Sequence, residues 1–277
     1  MRKYSVIAAV VIVAASAIDP APAEDKDITV EDIVARTNLA SYYSGKDGRA
    51  RVSMEITDSQ GRKRNREFVI LRRDEPDPDN PDNREYTGDQ QFYVYFRRPA
   101  DVNKMVFMVH KHAAADREDD RWLYLPALDL VKRIAGTEKR TSFVGSDFFY
   151  EDVSGRNVND DSHELVETTD NYYVLKNTPK DPDSVEFSSY TMWIHKDTFL
   201  PVKIEYIDKQ GDKYRVYQAL KVDTIEDIPT VTGSKMKDLK RGSQTELKYS
   251  DVEYNLGLPE DIFTERYLRK APREYLR

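Results

Sequence analysis

The chain has 277 residues, no cysteine, 34% charged side chains and a formal net charge of −7. Without cysteine, disulfides and thiol chemistry are excluded, and the acidic balance speaks against nucleic acid, whose binding leans on basic surface. Beyond the start of the chain no run approaches the roughly 20 apolar residues that span a bilayer.

Arg2 and Lys3 precede an apolar run from Val6 to Ile18, and small-residue cleavage sites follow at Ala15–Ala17 or Ala21–Ala23. This is the pattern of a Sec-type signal peptide. We expect residues 1–23 to be that leader and residues 24–277 to be one exported domain, soluble in the periplasm. A lipoprotein needs a cysteine at its cleavage site, so lipidation there is excluded.

Residues 28–43 read as a helix. Thr29 and Asp32 fit a capping box, and Ile33, Val34 and Ala40 fall near helical spacing, as in a helix packed on a sheet. From Arg51 the period changes to two: Val52, Met54 and Ile56 alternate with polar neighbours, and Ser59–Gly61 turns the chain into Phe68–Leu71. Asp74–Asn83 is a loop rich in proline and aspartate. It lacks the glycine and closing glutamate of a calcium-binding EF-hand loop, so it reads as a solvated insertion.

Gln91–Arg97 places Phe92, Val94 and Phe96 on one face and Gln91, Tyr93 and Tyr95 on the other. Both faces are aromatic, so one should meet a core or cavity and the other a covering element. Lys104–Lys111 sets Met105, Phe107 and Val109 against Val106, Met108 and His110. His110 and His112 share a strand face, but no third ligand follows at metal-binding spacing, and we expect neither metal nor cofactor. Trp122–Leu125 is a strand ended by Pro126, which cannot donate to a ladder. Val131–Ile134 is another.

From Thr141 the rings Phe143, Phe148, Phe149 and Tyr150 crowd together among Gly145, Ser146 and Asp147. Ser146 or Asp147 is a good N-cap for one helical turn. Two readings fit such a loop: it plugs its own core, or its rings edge a cavity for an apolar ligand. Hairpin-length strands then continue to Val252, through turns at Pro179–Pro182, Lys196–Thr198, Asp208–Gly211 and Arg241–Gly242. Leu258–Thr264 is a loop whose Ile262 and Phe263 tuck back onto the sheet. With no internal repeat and no linker, one large antiparallel sheet is the economical architecture, mainly β with few helices.

No nucleophile motif, phosphate loop or zinc-binding His-Glu-x-x-His is present, and the acid pairs, such as Glu151 and Asp152, are expected to face solvent. We therefore expect no enzyme. For a binding cavity, the candidate wall residues are Phe92, Phe96, Met105, Phe107, Trp122, Tyr124, Phe143, Phe148 and Phe149. Alternation pairs Phe92 with Phe96, Met105 with Phe107, and Trp122 with Tyr124, but leaves open which face is concave. These faces are chosen because they carry the large rings and a flexible methionine, as cavity walls do. Gly145 and Gly155 bracket Phe148 and Phe149, which would make the two rings a movable lip.

Four stretches carry a family resemblance. Trp122-Leu-Tyr-Leu-Pro with Lys132 and Arg133, then Gly145-Ser-Asp-Phe-Phe-Tyr-Glu-Asp, resemble the outer-membrane lipoprotein-sorting branch of LolA-like proteins. Trp193-Ile-His-Lys-Asp-Thr-Phe-Leu-Pro-Val-Lys-Ile-Glu-Tyr and Leu258-Pro-Glu-Asp-Ile-Phe-Thr-Glu-Arg-Tyr-Leu are similar to the same branch. The resemblance implies a strongly curved, unclosed half-barrel with a helical lid. It further implies a carrier of lipid or acylated lipoprotein in the periplasm, with an RND-superfamily membrane transporter as partner. The alternative is an envelope docking or regulatory protein on the same fold, as in RseB-type anti-sigma regulators, which carry a second domain not found here.

Overall fold

The computed structural model describes residues 28–83 and 85–277; the expected leader at residues 1–23 lies outside them. Helix α1 (Val30–Tyr42) starts where the sequence marks it. The Thr29 hydroxyl accepts from the Asp32 amide at 3.1 Å, and the Asp32 carboxylate accepts from the Thr29 amide. Both bonds satisfy backbone donors that the first helical turn leaves open.

Thirteen strands form one sheet among the described residues. The first six are β1 (Asp47–Thr57), β2 (Lys63–Asp74), β3 (Gln90–Arg98), β4 (Val106–Lys111), β5 (Asp120–Leu125) and β6 (Leu130–Arg133). After helix α2 (Tyr150–Ser154) come β7 (Asp161–Thr168), β8 (Tyr172–Pro179), β9 (Phe187–His195), β10 (Pro201–Asp208), β11 (Lys213–Ile225), β12 (Ile228–Asp238) and β13 (Ser243–Tyr254). Helix α3 (Glu265–Arg269) lies in the C-terminal segment.

The strand order is β6-β5-β4-β3-β2-β1-β13-β12-β11-β10-β9-β8-β7, and every ladder whose register is defined is antiparallel. Both halves are plain meanders. The first runs outward from β1 to the edge at β6, and the second starts at the far edge, β7, and returns until β13 pairs with β1. Residues 134–160 must therefore cross from one edge of the sheet to the other.

That crossing dictates the shape. Residues from β3 and from β8 line the same cavity of about 430 Å³, although they stand eight places apart in the order. At roughly 4.8 Å per strand, a flat sheet would separate them by nearly 40 Å. The sheet must curl around the cavity, and because β6 and β7 do not pair it stays unclosed. Helix α1, α2 and the crossover occupy the concave side.

The convex side is covered as well. In an antiparallel sheet, directly paired residues share a face. The row Ile70, Val94, Phe107, Leu123 packs into the concave core, whereas Leu71, Tyr93, Met108, Trp122 packs against Leu258, Ile262, Phe263, Leu268 and Leu276. The Tyr93 hydroxyl donates to the Tyr267 carbonyl at 2.7 Å, and burial pushes its pKa up. The two-sided aromatic pattern of β3 thus has its cause: one face meets the crossover, the other the C-terminal segment.

Candidate functional site

The cavity lies between the sheet and two covering elements. Val34, Thr37 and Ser41 of α1 form its roof on one side, and Phe143, Phe148 and Val153 of the crossover form it on the other. The floor and walls are largely apolar: Met54, Phe68, Phe92 and Val94 from the first half of the sheet, and Leu175, Met192, Ile194, Tyr206, Met236 and Leu247 from the second. A concave space of this volume, lined mainly by apolar and aromatic side chains, is the usual form of a small-ligand site.

Both roof elements are tied down. The α1 N-terminal half buries Ile33 against Leu175 and Ile194. At its other end Arg72 donates to the carbonyls of Tyr42, Ser44 and Gly45 at 2.6–2.7 Å, and Gln90 donates to Tyr42 at 2.8 Å. These are the carbonyls that a helix C-terminus leaves without partners, and a cation there also suits the helix dipole.

The crossover is held by charges. Arg140 bonds Glu186 and reaches Glu151 at 2.7 Å; Arg156 holds Asp161 at about 3.0 Å; Arg215 pairs with Asp152 and donates to the Asp147 carbonyl at 3.0 Å. Burial works to raise the Glu151 carboxyl, but Arg140, Arg156 and Lys139 outweigh it and hold it below the ordinary range. Lys111, buried on β4, donates to the Ser154 carbonyl at 2.8 Å and lies 4.9 Å from the Tyr42 ring, so it touches both roof elements. Burial pushes its pKa down to about 8. Glu151 and Asp152, expected in solvent, are in fact the arginine-bound side of α2, and Glu151 is only 2% exposed.

The nine candidate wall residues separate. Phe92, Phe143 and Phe148 line the cavity. Phe96 and Phe107 are fully buried behind Phe143, at 5.7 and 5.6 Å between ring centroids, and Met105 packs half-buried on the same cluster. Phe149 is half-buried, with the guanidinium groups of Arg140 and Arg215 over its ring at 5.0 and 4.0 Å. Trp122 and Tyr124 point to the convex face, where Trp122 packs on His110. The size of a ring does not mark the concave face here, because the convex face is also buried and also needs large side chains. On β5 the residues that pack on the concave side are Leu123 and Leu125.

Two local expectations are corrected. Phe149, not Ser146 or Asp147, is the N-cap of α2; its amide donates to the Asp152 carboxylate at 2.6 Å. Asp147 is instead buried and accepts from Ser243 and Thr245 of β13, while its own amide donates to Thr245. The segment expected as a movable lip is thereby clamped to the sheet at its centre. His110 bonds the Phe263 carbonyl and His112 bonds Asp89. Among the described residues no group of three or more His, Asp or Glu side chains is placed to hold a metal ion. Sequence reasoning missed the second wall; the period-two run Tyr190, Met192, Ile194 carried the signal, since all three line the cavity.

Residues 88–270 match the model of a family described as "-like: Uncharacterized protein". No curated protein matches the sequence. Among solved structures, a DUF1329 family protein from Desulfovibrio piger is 28% identical, covers 86% of this chain and 96% of its own, and superposes with a TM-score of 0.76. A domain described as an outer membrane lipoprotein-sorting protein, from Vibrio parahaemolyticus, is 25% identical over 85% of this chain and 95% of its own, with a TM-score of 0.72. A LolA superfamily protein from Nitrosomonas europaea, at 21% identity and a TM-score of 0.64, covers 87% of this chain and 99% of its own and shares the fold.

Proposed function

The chain belongs to the DUF1329 family of LolA-like proteins, and on that premise we propose that it is a carrier holding the acyl chains of a lipid or lipoprotein in its half-barrel cavity. The observation that carries this reading is the apolar cavity itself, roofed by two anchored elements and walled from both halves of the sheet. Each methylene that leaves water for such a wall contributes about 0.8 kcal/mol, so a single acyl chain supplies most of a useful affinity. The arginines that line the cavity are already neutralised in pairs: Arg49 with Glu253, Arg72 with Asp74, Arg156 with Asp161. The reading places the protein in the periplasm after loss of residues 1–23, as one domain from residue 24, with an RND-superfamily transporter as the membrane partner. The sorting function in the name of the Vibrio relative supports the cargo class.

The test is purification from the native periplasm, followed by lipid extraction and mass spectrometry. Acyl lipid or lipoprotein recovered in near-stoichiometric amount is the expected result. Protein free of lipid that also fails to bind a fluorescent fatty acid would instead support a docking protein on the same fold.

A further inference from the structure

The cavity does not use two features that lie side by side on the outside of the molecule. The first is the β5–β6 hairpin tip. Leu128 is 70% exposed and Leu130 46%, on the free edge of the sheet. The second is the C-terminal segment. Residues 266–273 carry four basic side chains, Arg266, Arg269, Lys270 and Arg273, and no acidic one, in a chain whose net charge is −7. Leu268 of this segment is buried against the convex face, which leaves all four basic residues exposed. Arg269 joins the two features by holding Asp129, between the leucines, at 3.0 Å. Arg266, Lys270 and Arg273 have no carboxylate partner among the described residues.

We propose that this patch docks the protein on an anionic membrane surface, with the leucine tip entering the headgroup layer and the basic segment facing the lipid phosphates. The chemistry selects that occupant. Exposed leucines at a strand edge are an aggregation hazard that proteins otherwise blunt with charge, and here Arg266, Arg269, Lys270 and Arg273 outnumber the nearby acids Asp129, Glu265 and Glu274. A short apolar anchor flanked by cations is the composition that binds anionic bilayers, where burial and surface potential act together. The net negative charge of the molecule opposes this only weakly, because charges beyond about 8 Å are screened at physiological salt. Neither Leu128 nor Leu130 nor any of the four basic residues lines the cavity.

The experiment is flotation of the protein lacking residues 1–23, without added cargo, on vesicles of phosphatidylcholine alone or with one third phosphatidylglycerol. Binding is expected only to the anionic vesicles and should fall in high salt. Each basic residue near such a surface contributes about fivefold, so R266E/K270E/R273E should lower the partition about a hundredfold or more. Leu128→Ser with Leu130→Ser should lower it while leaving the thermal midpoint unchanged, since both side chains are exposed. Equal binding to both vesicles, indifference to either set of substitutions, or no binding at low salt would overturn the proposal. Because no cargo enters the assay, none of these outcomes bears on the carrier reading, which stands or falls on lipid recovered from the cavity.

Discussion

Arg72 on β2 and Tyr42 at the end of α1 are joined by a hydrogen bond of 2.6 Å, from the guanidinium to the last carbonyl of the helix. Through it a strand in one half of the sheet holds the end of a helix whose other end is buried on the opposite half. Arg72→Met should therefore loosen the roof. It removes three charge-assisted bonds and leaves Asp74 without its cation, an expected loss of about 3–5 kcal/mol. Urea unfolding measures that loss, and stopped-flow release of a fluorescent fatty acid should speed up in the same variant.

Asp74 makes the same corner sensitive to pH. Burial raises its carboxyl to about 6 from an ordinary 3.8, against the pull of Arg72. The folded carboxyl keeps its proton to higher pH than the unfolded one. Its contribution to stability is therefore full below about pH 4 and is lost as pH rises through 6. Relative to Asp74→Asn, the wild type should lose about 3 kcal/mol across that window. Parallel denaturation curves for the two proteins at pH 4 and pH 7 check it; a constant difference would show that the carboxyl titrates normally.

Phe148 and Trp122 are buried to a similar degree, at 8% and 7% exposure, on opposite faces. Truncating either to alanine should cost about 3–5 kcal/mol, the usual cost of a buried ring. Only Phe148→Ala should weaken binding of an acyl probe. Equal effects on binding would mean that the cavity assignment is wrong.

Gly155 follows α2 with φ 77° and ψ 155°, a region essentially closed to other residues. A Cβ placed there would stand 2.3 Å from the Tyr42 ring. Gly155→Ala should lower stability by at least about 2 kcal/mol, because it strains the backbone and separates the two roof elements at once. Calorimetry of the purified variant reads this directly.

The legible parts of the fold are those decided within a few residues. The capping box at Thr29 and Asp32 needs only four positions of sequence. The hairpins need only a turn between two alternating runs, and a chain of hairpins implies an antiparallel meander. The N-cap of α2 shows the limit. Ser146 and Asp147 have the right chemistry to cap it, but Asp147 bonds Ser243 and Thr245, nearly a hundred residues away, and the cap falls to Phe149. Glu151 and Asp152 read as solvated acids for the same reason: the arginines that bind them come from the crossover itself and from β11.

The amino-acid sequence by itself determined the period of each strand, and with it which residues share a face: Phe92 with Phe96, Trp122 with Tyr124. Which of those faces turns inward was decided only by the tertiary structure. Alternation carries relative parity and no absolute direction, and the direction comes from what covers each side. Here the crossover between the two sheet edges covers one face and residues 258–276 cover the other, so both faces demand large apolar side chains and neither betrays itself by composition. The cavity exists because the two meanders meet at β1 and β13, a pairing between the first and last strands of the sheet in chain order that no local pattern records.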